Sequence, residues 1–337
     1  MFLEGEIQVP KWVSRIKVPI PIESLKFVNV YLIREDNTFS LIDAGMYSIR
    51  SFHELINRVA SIGLRIGDLE SVVVTHFHVD HITLSPILYE LSGADFYLGL
   101  KDESTLRKGF DKFIGKALRL YKRHGVPQGE ANEISRYHPA MRIIDVYDNY
   151  LREMPWIPLT ERSEVELGNK RFKVIHVPGH TPGQINLFYE EEGILFAGDH
   201  ILDRITPQIT LIDEREDPLG DYMNSLEKVS MMNAKIALPG HGEPIVNPSK
   251  RAKELIEHHK QRLNEILGYV KERGEATAYE LAKVVRWRTN YSSWEEYPYP
   301  ERFFAIGETL SHLRRLELEN KIEKRERAGI VKWVPLV

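Results

Sequence analysis

Cysteine is absent from all 337 residues, and that gap closes several routes at once. Disulfide scaffolds, thiolate-held zinc, ordinary iron–sulfur clusters and cysteine nucleophiles all need it, so any metal must be held by histidine and carboxylate. Long apolar runs are missing too. No stretch reaches the roughly 18 apolar residues of a membrane span. Met1 to Val13 carries Glu4, Glu6 and Lys11 and has no apolar core of signal-peptide length. A cytoplasmic protein with no membrane partner is the expectation. Nor is there an excess of charge: 45 Lys and Arg face 49 Asp and Glu, a net charge of -4. A chain that is not basic overall can touch nucleic acid only through a local patch. Repeats and low-complexity tracts are also lacking. What remains, with 42% hydrophobic and 28% charged residues, is an ordinary globular composition, long enough for one large and one small domain.

The chain reads as α/β. Phe27 to Ile33 and Thr38 to Asp43 are strand formers around the polar turn Glu35-Asp36-Asn37, a hairpin pattern. Ser51 to Ile62 repeats apolar residues at helical spacing, and Ser71 to Thr75 is a short buried-strand run. Residues from about 101 to 159 lose strand character and read as a helical insertion or lid, with a helix at Phe113 to His124. Strands resume at Phe172 to Val177, Ile194 to Ala197 and Lys235 to Leu238, with a helix between Tyr222 and Met232. After Asn247-Pro248 the pattern turns helical, which predicts domains at 1–248 and 249–337. In the second, helices at Ala278 to Val285 and Ala305 to Glu319 precede a hairpin around Ala328-Gly329, the order of a winged helix.

Four candidate ligands crowd into His76-Phe77-His78-Val79-Asp80-His81, directly after Val72-Val73-Val74. Zinc and similar divalent ions want several neutral imidazoles and carboxylates converging at about 2.0 to 2.2 Å, and one loop at a strand end supplies several. Three more candidates each follow an apolar strand and a glycine: His180 after Pro178-Gly179, Asp199 after Ala197-Gly198, and His241 after Pro239-Gly240. Ligands in α/β sheets gather beyond strand ends, so these turns could share one cleft.

Taken in order, the His76 to His81 run, Pro178-Gly179-His180-Thr181, Gly198-Asp199 and Pro239-Gly240-His241 resemble the motifs of the metallo-β-lactamase superfamily over roughly residues 20 to 245. The resemblance implies an αββα sandwich and two divalent metal ions, zinc foremost with iron or manganese as alternatives. It implies that His76, His78 and His180 hold one ion, Asp80, His81 and His241 the other, and that Asp199 bridges them. A metal-bound hydroxide would then attack an ester, thioester or phosphodiester, with Asp80 as the catalytic residue that orients it. Asp43 resembles the family's early aspartate, which supports the metal loop from outside the ligand set. His200 is read the same way, or as a proton donor. Asp199 together with the absence of cysteine points away from antibiotic hydrolysis and towards the ligand set of glyoxalase II-like thioesterases, lactonases, phosphodiesterases and ribonucleases.

The tail from Thr277 to Val334 resembles the winged helix of a β-lactamase-like protein 2 subgroup, some of whose members act on single-stranded RNA. Two partners therefore stand as expectations: a small-molecule ester or thioester, or single-stranded nucleic acid. Homodimerisation through the tail is a further one. Residues 251–337 hold 17 Lys and Arg against 14 Asp and Glu. Lys321, Lys324, Arg325, Arg327 and Lys332 are candidates for phosphate contacts, and Trp287, Tyr291, Trp294, Tyr297 and Tyr299 for base stacking.

Overall fold

The structure is a computed structural model that describes residues 9–21, 25–138, 141, 148–287 and 291–336. Glu4 and Glu6 of the amino terminus, and residues 139–140 and 142–147 of the expected insertion, lie outside the described residues. The chain forms two compact units. One comprises 1–107, 149–207 and 225–253, the other 108–148, 208–224 and 254–337.

The first unit is built on two six-stranded sheets. β1 (Val13–Pro19), β2 (Phe27–Glu35), β3 (Thr38–Ile42), β4 (Leu69–Val74), β5 (Asp95–Gly99) and β6 (Ile157–Leu159) lie side by side in chain order. The first three pair antiparallel and the rest parallel. The expected hairpin is therefore present, with Tyr31 opposite Ile42 and Glu35 opposite Thr38. The second sheet runs β12 (Ile245–Val246), β11 (Ile236–Pro239), β10 (Ile194–Gly198), β9 (Ile185–Tyr189), β8 (Lys170–His176), β7 (Glu164–Leu167), with only β10 and β11 parallel. Residues Ile157–Leu159, expected to be helix or loop, instead form an edge strand on β5. The edge position accommodates Pro158, which has no N–H to give to a central ladder.

The core lies between the sheets. Tyr31, Ile33, Ile42 and Val73 of the first sheet pack against Phe172, Ile185, Leu187, Phe196 and Leu238 of the second. Tyr31 meets Phe196 edge to face at 5.3 Å. Each such side chain, fully buried, contributes roughly 1.5–3 kcal/mol. Alternate residues Val30, Leu32, Leu41 and Val72 point the other way yet are equally buried. Strands buried on both faces require helices outside, and α1 (Ile49–Ser61) packs on β1 while α3 (Ser85–Ser92) packs on β5. Helix α1 starts where Ser48 accepts a hydrogen bond from the Ser51 N–H, satisfying an otherwise orphaned donor. Between α1 and α3 lies α2 (Val79–Ile82), a single turn.

After α4 (Leu100–Lys108), the second unit takes up α5 (Phe110–Arg123) and α6 (Gln128–Tyr137). It also holds most of α8 (Pro248–Arg273), which follows α7 (Pro218–Ser230), and then α9 (Ala278–Ala282), α10 (Tyr299–Leu318) and the hairpin β13 (Ile322–Arg327) with β14 (Ile330–Pro335). Thr277 and Glu280 form a reciprocal capping box at the start of α9. Tyr121, buried on α5, packs on Phe303 of α10 at 5.1 Å. Among the described residues, no helix is long and apolar enough to cross a membrane.

Candidate metal centre

All seven expected ligands belong to the first unit, and each follows a strand. His76 comes two residues after β4, His78 caps α2, and Asp80 and His81 occupy that turn. His180 follows β8, Asp199 follows β10 and His241 follows β11. Three overlapping groups have ligand atoms within 4.8 Å of one another: His76, His78 and His180; His76, His81 and Asp199; and Asp80, His81 and His241. The turns that were separate in sequence thus meet.

Close approach depends on glycine. A Cβ on Gly240 would sit 2.5 Å from Asp199 Oδ1 and 2.6 Å from His81 Cε1, so only a residue without a side chain lets these turns touch. The His241 turn is anchored from the first sheet: Asn29 Nδ2 donates to the Pro239 and Gly242 carbonyls at 2.9 and 3.0 Å, and the Tyr31 hydroxyl donates to Pro239 O at 2.7 Å. His241 Nδ1 donates to Phe27 O at 2.8 Å, leaving Nε2 directed at Asp80 Oδ2 (3.1 Å) and Asp199 Oδ2 (3.5 Å).

Asp43, expected outside the ligand set, directly follows β3 in a left-handed conformation (φ 64°). Its carboxylate accepts from Thr75 N at 2.8 Å, Thr75 Oγ1 at 2.9 Å and His81 Nδ1 at 2.8 Å. A carboxylate only accepts, so Nδ1 of His81 carries a proton and Nε2 faces the centre. His200 is buried and its Nδ1 lies 3.1 Å from Asn186 Nδ2; it joins none of the three groups. Burial pushes its imidazole down to about 3, so it is neutral at pH 7.

The residues fit divalent cations. His76 Nε2, His81 Nε2 and Asp199 Oδ1 are buried without any hydrogen-bond partner, an arrangement that is costly unless something else meets those atoms. Burial, with His81 and His78 adding repulsion, holds His76 well below the usual histidine range, and burial with His180 does the same for His78. Both imidazoles are neutral at pH 7. Burial would lower His81 as well, but Asp43, Asp199 and Asp80 raise it well above. Asp80 goes the other way: burial would raise its carboxyl, yet His81 and His241 hold it at about 2.

One residue that the sequence pattern missed ties the centre together. Asp102, fully buried at the start of α4, accepts from Phe77 N (3.2 Å), Thr181 Oγ1 (2.6 Å) and Gly183 N (2.6 Å). It joins the His76–His81 turn to the His180 turn, and burial pushes its carboxyl up to about 7. No motif surrounds it; the usable signal was the apolar run Phe96 to Leu98, whose strand ends just before it.

Residues 24–241, which carry all seven of these side chains, match the model of the metallo-beta-lactamase superfamily. The chain belongs to that superfamily, and it is a metal-dependent hydrolase. It is 28% identical over 320 residues to "Probable metallo-hydrolase YqjP" of Bacillus subtilis (strain 168), covering 92% of this chain and 93% of that one. It is 26% identical over 300 residues to the beta-lactamase-like protein 2 homolog of Caenorhabditis elegans, covering 89% and 82%. The metallo-beta-lactamase family protein TTHA1429 of Thermus thermophilus has a similar structure, with a TM-score of 0.81, 28% identity and coverage of 96% and 99%.

In the second unit, the candidate phosphate-binding cations already have carboxylate partners. Lys321 pairs with Glu319 (2.8 Å), Lys324 with Glu317 (3.4 Å), Arg325 with Glu323 (2.8 Å), and Lys332 with Glu275 (2.7 Å). Arg327 reaches Glu275 at 4.0 Å. The aromatic candidates pack on their neighbours: buried Trp294 stacks on Tyr297 at 5.5 Å, and Arg262 lies 4.7 Å over Trp287.

Proposed function

We propose that this hydrolase is binuclear and acts on a small-molecule ester or thioester. The observation that carries the two-ion reading is the Asp199 carboxylate. Its Oδ1 lies 3.5 Å from His81 Nε2, while Oδ2 lies 3.5 Å from His241 Nε2 and 3.8 Å from His180 Nε2, so one side chain faces both halves of the ligand set. On this reading His76, His78 and His180 hold one ion, Asp80, His81 and His241 the other, and Asp199 bridges. Zinc is the expected metal, since a set of imidazoles and carboxylates suits it, with iron or manganese accepted by the same atoms. When bound, such ions would lower the pKa of a coordinated water to about 7 and polarise the substrate oxygen.

The chain's own residues do the rest. Asp80, held ionised, accepts a hydrogen bond from the attacking water and orients it. Asp43 and the Phe27 carbonyl fix the ring orientations of His81 and His241, and Asp102 holds the two ligand turns in register. Small molecules are favoured over single-stranded RNA because the hairpin's cations are neutralised by their own carboxylates, which weakens a phosphate footprint. We read 249–337 as a winged-helix-like domain on the order α8, α9, α10 and hairpin, with Ala276 bridging to Trp333.

The test is a panel of thioester, lactone, phosphodiester and single-stranded RNA substrates with wild type and Asp80→Ala. Turnover of an ester or thioester that falls at least about a hundredfold in the variant is expected. Cleavage of RNA alone, or turnover indifferent to Asp80→Ala, would overturn the reading.

A further inference from the structure

A separate group of titratable side chains lies wholly within the second unit, where α8 and α10 pack. His258 and His259 are consecutive on α8, and Glu308 and His312 are one turn apart on α10. Ligand atoms of His258, His259 and Glu308 all lie within 4.8 Å of one another. His259, Glu308 and His312 are buried, and His258 is half-buried.

Hydrogen bonding dictates the tautomers. The Glu308 carbonyl only accepts, so His312 Nδ1, 2.8 Å away, carries a proton. A neutral imidazole carries a single N–H, so with Nδ1 protonated the His312 ring presents a lone pair at Nε2. That lone pair lies 3.2 Å from His259 Nδ1, which must therefore be the N–H of its ring. Nε2 of His259 is then a bare lone pair, and it is buried with no hydrogen-bond partner. An imidazole whose far nitrogen donates to an oriented acceptor while the near one presents a lone pair is prepared as a metal ligand. The Tyr222 and His259 rings meet edge to face, with their centroids 5.4 Å apart. Arg262, whose charge acts on Glu308, makes its contacts elsewhere: with Glu265 at 3.2 Å, the Arg286 carbonyl at 3.1 Å and the face of Trp287.

We propose that His258, His259 and Glu308 form a second divalent-cation site, for zinc or an ion of similar softness, which cross-links α8 to α10. Two imidazoles and one carboxylate are a zinc-type donor set. Ligands of a tetrahedral zinc lie about 3.4 Å apart, so side-chain rotation closes the triad. His258 gives the ion its route from solvent. His312 is a positioning residue that holds the His259 tautomer and touches no metal.

The experiment uses the full chain, stripped by chelation and dialysed against Zn2+, with zinc counted per chain. Wild type is expected to bind one equivalent more than either His259→Ala or Glu308→Gln, whatever the first unit holds. His312→Ala should keep the equivalent but weaken it about 10- to 100-fold. Anomalous diffraction at the zinc edge should give a peak bonded to His259 Nε2. Should His259→Ala not fold, His258→Ala, at a half-buried position, must show the same loss. Equal zinc counts in wild type and folded variants, or zinc peaks only beside His76 and His241, would overturn the proposal.

Discussion

Replacing Asp43 by asparagine tests how the metal centre is held by a residue that is not itself a ligand. The change keeps shape, and asparagine tolerates the left-handed backbone at φ 64°, so no backbone penalty is added. The carboxylate takes three donors, Thr75 N, Thr75 Oγ1 and His81 Nδ1, all within 2.9 Å. An amide offers one oxygen and one NH2. If the oxygen faces Thr75, the NH2 meets the His81 N–H; if it turns, the NH2 meets the Thr75 N–H. Either way a buried donor loses its acceptor, at about 1–3 kcal/mol. His81 can escape by giving up its Nδ1 proton and keeping one on Nε2, but a protonated Nε2 cannot bind a metal. Metal binding must reverse the escape, so zinc affinity should fall roughly 10- to 100-fold, since 1.4 kcal/mol is tenfold. Competition with a chromophoric chelator measures this on the full chain. An affinity within twofold of wild type, in a variant with native circular dichroism, would refute the reasoning.

Three further outcomes follow from the same structure. Gly240→Ala places a methyl 2.5 Å from Asp199 Oδ1 and 2.6 Å from His81 Cε1, so it should lower zinc affinity at least tenfold and stability by about 1–3 kcal/mol; zinc titration and urea unfolding check both. Asp102→Asn puts an NH2 against one of three buried donors and should cost about 1–3 kcal/mol, whereas unchanged urea midpoints would remove its anchoring role. Glu214 has its carboxyl lowered to about 2, chiefly because His124 donates to it; burial opposes this, and Lys324 and Arg123 reinforce it. Because that folded pKa lies below the unfolded one, the stabilisation is present above about pH 5 and lost as pH falls through about 2. Screening at this partly exposed group leaves about 1–2 kcal/mol, which Glu214→Gln should erase, so that its urea stability curve loses slope between pH 5 and 2 relative to wild type.

Much of this protein was legible as sequence because the relevant signals are local. The hairpin at β2 and β3, the helices α1, α5 and α10 and the strands before His76, Asp199 and His241 follow from periodicity and turn residues within a few positions. The seven candidate ligands were visible because they stand beyond four strand ends, four of them within six residues. Tertiary structure decided the rest. Gly240 matters only because β10 and β11 pair in parallel and bring the Asp199 turn against it. Asp102 matters because two turns about a hundred residues apart, at Phe77 and Gly183, both need an acceptor at one point. The hairpin lysines and arginines looked available for phosphate until folding placed Glu275 and Glu317 beside three of them. His259, Glu308 and His312 gave no signal on their own helices, since a helix repeats within four residues and carries no record of which face another helix will cover. Local chemistry is written along the chain, but which lone pair is left without a partner depends on register and packing between segments far apart in it.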